Sequence, residues 1–197
     1  MRKSSGILPW TAPLMLFVGF AVAASASAAD TYQLDPVHTS ITFRVKHLNV
    51  TYIYGRFNEV AGILVFDDAN PANSSIQVQV KTASIDTFNA KRDDHLRSPD
   101  FFDASAYPLI EFRSTAVKKV DPETYNVQGD LTLHGVTRSV TVAAILTGAG
   151  MDPWGNDRIG FESVFMIKRT DFGMTENLQA AGDEVRLTVS VEGIRKQ

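Results

Sequence analysis

Apolar and polar residues alternate with a period of two along most of this chain. In the run VRLTVSV, Val185, Leu187, Val189 and Val191 share one face, and Arg186, Thr188 and Ser190 take the other. Ile41, Phe43 and Val45 alternate with Thr42, Arg44 and Lys46. Ile76, Val78 and Val80 form another row, as do Val140, Val142, Ala144 and Leu146, with a shorter one at Leu131 and Leu133. Successive side chains of a strand point to opposite faces, so this period marks strands with one buried face. Clusters of Gly, Pro, Asn and Asp at 67–73, 121–123, 134–135 and 180–183 separate the rows. The segments so bounded are 38–48, 53–67, 75–83, 108–119, 124–133, 136–147, 157–169 and 184–194. Eight strands with short connections predict an all-β chain closed as one up-and-down antiparallel barrel, which removes exposed edges. A two-sheet sandwich is the competing arrangement. His134–Gly135, between LTL and VTRSVTV, predicts a tight hairpin with His134 as a turn residue.

One stretch breaks the alternation. KRDDHLRSPDFFD, residues 91–103, falls between the third and fourth strands, where a hairpin needs only a few residues. Residues 89–97 lack β-branched side chains and predict a two-turn helix with its charges facing water. Pro99 ends it, because the residue before a proline is disfavoured in helix. Phe101 and Phe102 then offer apolar area to plug or flank a barrel end.

The first thirty residues belong to a different pattern. Met1, Arg2 and Lys3 precede the apolar run LMLFVGFAVAA from Leu14 to Ala24, and SASAA follows. A basic start, an apolar run and small residues define a cleavable secretory signal. The run is shorter than the roughly 20 residues a membrane helix needs. Residues 1–29 are therefore expected to be a signal peptide, cut after Ala28 or Ala29, and residues 30–197 a single mature domain with no membrane span. A periplasmic location follows as the expectation, with secretion as the alternative. Setting Arg2 and Lys3 aside from the 19 basic residues leaves 17 against 22 acidic ones, a net charge of −5. That balance, without a basic stripe, argues against nucleic acid as a partner. The chain has no cysteine.

Candidate chemistry is sparse. His38 and His47 are nine residues apart, an odd interval that puts them on opposite faces of a regular strand. His95 has no second histidine three to five positions away, so no metal or cofactor is expected. Asp93, Asp94 and His95 could form an acid–base cluster, although neighbours in a short charged helix are usually surface groups. No G-x-S-x-G or phosphate-cradling glycine loop occurs. His47 continues the row of Ile41, Phe43 and Val45, so it is expected to point inward, as a satisfied core residue or as a polar contact in a ligand cavity. Alternation alone does not say which face is inside. An outer-membrane barrel turns its apolar face outward, but aromatic girdles and a terminal aromatic are both missing. An apolar interior is favoured, and an eight-stranded barrel can hold one small ligand.

Several motifs in order match one family. DPVHTSITFRVKHLNV, YGRFNEVAGIL, KRDDHLRSPDFFD with YPLIEF after it, GDLTLHGVT and IKRTDFGM resemble the polyisoprenoid-binding, YceI-like family. The resemblance runs from Asp30 to Ile194, with Thr170 standing where the family motif has serine. It implies a lipocalin-like barrel, with one helix and loop inserted between strands three and four, that binds a polyisoprenoid or other long-chain lipid in the bacterial envelope. The expected lipid-facing residues are Ile41, Phe43, Val45, His47, Ile76, Val78, Val80, Phe101, Phe102, Leu131, Leu133, Val140, Val142, Val185, Leu187 and Val189. No catalytic residue is expected. An enzyme acting on a cavity-bound lipid through His47 or His95, and a partner of membrane redox or quinone machinery, stand as alternatives. Dimerisation is left open.

Overall fold

The computed structural model describes residues 29–196, so the expected signal peptide lies outside the described residues except for Ala29. Strands β1 (Asp30–Leu34), β2 (Ser40–His47), β3 (Thr51–Phe57), β4 (Val60–Phe66), β5 (Ser75–Lys81) and β6 (Ile85–Asp86) precede helix α1 (Ala90–Arg97). Strands β7 (Leu109–Lys119), β8 (Thr124–Leu133), β9 (Val136–Met151), β10 (Asp157–Lys168) and β11 (Ala181–Arg195) follow.

These eleven strands build eight legs. β1 and β2 lie end to end along one edge of β11: Tyr32 to Leu34 pair with Arg195 to Gly193, and Ser40 to His47 with Ser190 to Ala181. β4 and β3 pair with β1 and β2, and β5 and β6 pair in turn with β4 and β3. Those three interrupted legs, with β7 to β11, form a ring in which each leg is antiparallel to the next and the last meets the first. The expected closed eight-stranded barrel is what the chain forms. Three of its legs differ from the expectation in being broken, at 35–39, 58–59 and 82–84, and the first begins at Asp30 instead of residue 38. The 180–183 cluster is not wholly a turn either, since β11 begins at Ala181.

The breaks have local causes. Pro36 has no N–H to give a ladder, the Val37 amide donates to Asp35 Oδ1 at 2.9 Å, and the Thr39 amide donates to the Asp35 carbonyl at 2.9 Å. The Asn58 amide donates to the Ser84 carbonyl at 3.1 Å and the Lys81 amide to the Glu59 carbonyl at 3.0 Å, so the second and third legs bend together. At the β8–β9 hairpin both His134 (φ 52) and Gly135 (φ 71) are left-handed, the backbone of a type I′ turn. The His134 ring packs on Tyr107 and lies 3.1 Å from the Phe172 carbonyl, so it is a structural turn residue.

α1 sits between the third and fourth legs, as the sequence predicts. Asn89 caps it, accepting a hydrogen bond from the Arg92 amide at 3.0 Å, and Ser98 ends it before Pro99. Its charges do not all face water, which corrects the expectation. Asp93 is buried and accepts from the Thr87 amide at 2.8 Å. Arg92 donates to the Thr87 carbonyl at 2.6 Å, and Arg97 to the carbonyls of Ala83 and Ile85 at 2.8 and 3.0 Å. Bends in the third leg free these carbonyls, and the helix charges satisfy them. Asp94 instead pairs with Arg97, and His95 with Asp100 at 3.0 Å, so the three neighbours form no acid–base cluster.

Candidate functional site: an apolar cavity along the barrel axis

The inward row of each leg faces a cavity of about 250 Å³. Fifteen of the sixteen side chains expected inside line it, from Ile41, Phe43 and Val45 on β2 to Val185, Leu187 and Val189 on β11. His47 is the exception. It ends β2 opposite Ala181 and Thr51 at the β2–β3 hairpin, where its carbonyl accepts from the Val50 amide at 2.9 Å. Strand parity does not carry through an irregularity: the β2–β11 register shifts between Val45 and His47, and Ala181, opposite His47, lines the cavity where His47 does not.

One end of the cavity is roofed by α1 and the loop after it. Leu96, Phe101 and Phe102 all line the cavity. Phe101 stands edge-on to His95 at 5.0 Å between ring centroids, and Phe102 edge-on to Phe57 at 5.8 Å. Edge-to-face pairs at these separations fix ring orientation as well as burying area. The far end is narrowed by Phe66, Tyr125 and Phe161, whose centroids lie 5.4 to 5.9 Å apart. The Tyr125 hydroxyl donates to Asp68, which also pairs with Lys119.

Polar groups on the wall are few. Arg169 is 5% exposed and makes no ion pair among the described residues; it donates to the carbonyls of Ala181 (2.7 Å), Gly182 (3.1 Å) and Met174 (3.4 Å). Burial pushes its guanidinium below the ordinary arginine value, opposed by the charges of Asp183 and Glu176. It thereby fastens the start of β11 to the turn after β10. Thr170 braces the same junction, its amide and hydroxyl donating to the two oxygens of Asp183 at 3.0 and 2.9 Å. A serine hydroxyl can make the same bond, so this departure from the motif changes little. Ser74, Ser75, Ser163 and the exposed Glu162 also line the cavity. Among the described residues, the cavity lining includes no histidine.

Sequence spacing missed two features. Phe161, Ser163, Phe165 and Ile167 on β10 form an inward row as regular as the others, and the alternation of residues 159–167 carried its signal. A second cluster draws on residues far apart in sequence: Asp35, His38 and Glu192 bring their donor atoms within 4.8 Å of one another. It does not behave as a cation site. Arg158 Nη1 already bonds both Asp35 Oδ2 and Glu192 Oε1, and Arg158 Nε donates to Asp152 at 2.7 Å. The guanidinium occupies the place of a cation and ties the 35–39 break to β10 and β11. Hydrogen bonds from His38, the Val37 amide and Arg158 hold the Asp35 carboxyl down at about 2, against the opposing effect of burial.

A closed antiparallel barrel with an apolar lumen, roofed at one end and pinched by aromatics at the other, defines a class: a lipocalin-like barrel built around an internal cavity. The YceI-like domain family matches residues 32–193, and this chain belongs to that family. It is 45% identical to Protein YceI of Escherichia coli O17:K52:H18 over 177 residues, covering 89% of this chain and 92% of that protein. Among solved structures it resembles BcnA of Burkholderia cenocepacia, with a TM-score of 0.74 at 26% identity over 81% of this chain and 98% of that one. A polyisoprenoid binding domain from Saccharophagus degradans shares the fold, with a TM-score of 0.66 at 14% identity over 84% of this chain and 98% of that one.

Proposed function

We propose that this protein binds a polyisoprenoid or other long-chain lipid in the barrel interior and acts as a periplasmic carrier or sequestering protein without performing a reaction. The observation that carries this reading is the continuous apolar lining from the Phe101–Phe102 roof to the Phe66–Tyr125–Phe161 floor. Transfer of a methylene from water to such a wall is worth about 0.8 kcal/mol before the costs of ordering the chain. The Saccharophagus degradans domain of the same fold, a polyisoprenoid binding domain, supports the choice of ligand. The expected signal sequence supports the location. His95 is engaged with Asp100, and neither His95 nor His47 is in the cavity lining, which supports binding over catalysis.

Mass spectrometry of a mild organic extract of the purified protein tests this. A reproducible prenyl or long-chain lipid at near-stoichiometric amount is the expected result. A paired substrate and product would replace the carrier with an enzyme, and an extract free of lipid after purification without detergent would refute retention in the cavity.

A further inference from the structure

We infer that the lipid enters head first, and that its head carries a neutral oxygen, a hydroxyl or carbonyl, bonded to Ser163 near the floor of the cavity. This rests on the lipid-binding reading above and adds the ligand's orientation and head-group class. Ser163 is 9% exposed, its residue lines the cavity, and its hydroxyl has no hydrogen-bond partner. It is the one side-chain oxygen among the described residues that is buried and unpartnered; the other orphan atom, Arg44 Nε, belongs to a guanidinium lying over the Tyr52 ring. Buried hydroxyls in folded proteins are nearly always satisfied, so a bare one on a cavity wall indicates a partner that arrives with the ligand. A serine hydroxyl reorients about one bond and can either donate or accept.

Its position gives the orientation. On β10 Ser163 is two residues from Phe161 of the aromatic floor, and six from Arg169 at the roofed end. At about 3.3 Å per residue that places it roughly 20 Å from the arginine. The hydrogen-bonded register of β9 with β10 ends at Glu162 opposite Ile145, and one further step brings Ser163 opposite Ala144. Two small side chains thus adjoin beside the larger Phe161, Phe165 and Val142 of the lining, leaving room for something wider than a chain. Among the described residues, Arg169 is the cation in the cavity lining and is remote, and Lys119, over the Tyr125 ring at the floor, is already paired with Asp68. A phosphate would have to shed its water there without compensation. A hydroxyl or carbonyl gains a partner.

The test is displacement of N-phenyl-1-naphthylamine from the lipid-stripped protein by geranylgeraniol, its phosphate monoester and the C20 hydrocarbon phytene. Wild type should bind the alcohol about tenfold more tightly than the hydrocarbon, and more tightly than the phosphate. Ser163→Ala should erase the alcohol's advantage and leave hydrocarbon binding unchanged; Ser163→Thr, which keeps a hydroxyl, should restore part of it. Thermal melting confirms that each variant is folded. An advantage that survives in Ser163→Ala, or a phosphate that binds most tightly, places the head at Arg169 and overturns the proposal while leaving the lipid cavity intact. If none of the three displaces the dye, the lipid-binding reading falls, and this one with it.

Discussion

Replacing Phe101 and Phe102 together with alanine should open the cavity at its roofed end. Phe101 is 9% exposed and stands edge-on to His95; Phe102 is half-buried against Phe57. Truncating a buried phenylalanine costs about 3–5 kcal/mol in a packed core. Both rings border an existing void, so the lower end applies to Phe101 and less to Phe102, about 4–5 kcal/mol in all. For a domain of this length each kcal/mol moves the melting temperature by about 2–4 °C, which gives a fall of roughly 10–20 °C. The rings also contact whatever fills the cavity. Loss of about 1.4 kcal/mol of contact per ring is tenfold in affinity, so two rings give on the order of a hundredfold, expressed mainly in the off-rate. The assay is stopped-flow release of a fluorescent fatty-acyl analogue, with thermal melting in parallel. Leu34→Ala, a buried change off the cavity lining, serves as a control of comparable stability cost. Faster release in the double-alanine protein but not in Leu34→Ala is expected. If both variants melt lower and release at the wild-type rate, the loop is a structural corner and the gating argument is wrong.

Val78→Asp or Val142→Asp puts a carboxylate on the apolar wall and should abolish lipid retention in a chain that circular dichroism shows is folded; retained lipid would place binding elsewhere. The Asp35 cluster predicts acid sensitivity with a definite sign. Its carboxyl is depressed to about 2, so the stability it contributes is present above the unfolded value near 4 and is lost as pH falls from there through 2. That contribution is at most about 2 kcal/mol and is shared with His38 and the Val37 amide, so Arg158→Met should lower the melting temperature at pH 7 by at most about 4–8 °C and partly flatten the decline below pH 4. An unchanged acid profile in that variant would remove Arg158 from the account.

The barrel was legible because a strand's period of two survives in one sequence. Each lumen row from Ile41 to Val189 could be read from parity, and the His134–Gly135 turn from local backbone preference. Properties set by distant chain were not legible. Asn58–Glu59 breaks the alternation by one residue between the buried Phe57 and Val60, but the bend there depends on hydrogen bonds to Ser84 and Lys81 of the neighbouring leg, which spacing does not reveal. Asp93 looks like one more surface charge until Thr87 folds over it. His47 continues the spacing of its row, but the register shift beside it on β11 is set by a strand far along the chain. Asp35 and Glu192 lie far apart in the chain and meet only because β11 runs beside the first leg.

That adjacency has a consequence for how the molecule comes to exist. The residues that seal the ring, Tyr32 to Leu34 against Gly193 to Arg195, come from opposite ends of the chain. Contacts of such sequence separation are slow to form, typically milliseconds to seconds in all-β domains. Until the fifteen residues of β11 are available, the outer edges of β1, β2 and β10 have no partner. An incomplete chain is therefore an open sheet with two apolar-faced borders, a template for pairing with its own copies. Losing the final strand would leave an aggregating sheet in place of a smaller barrel.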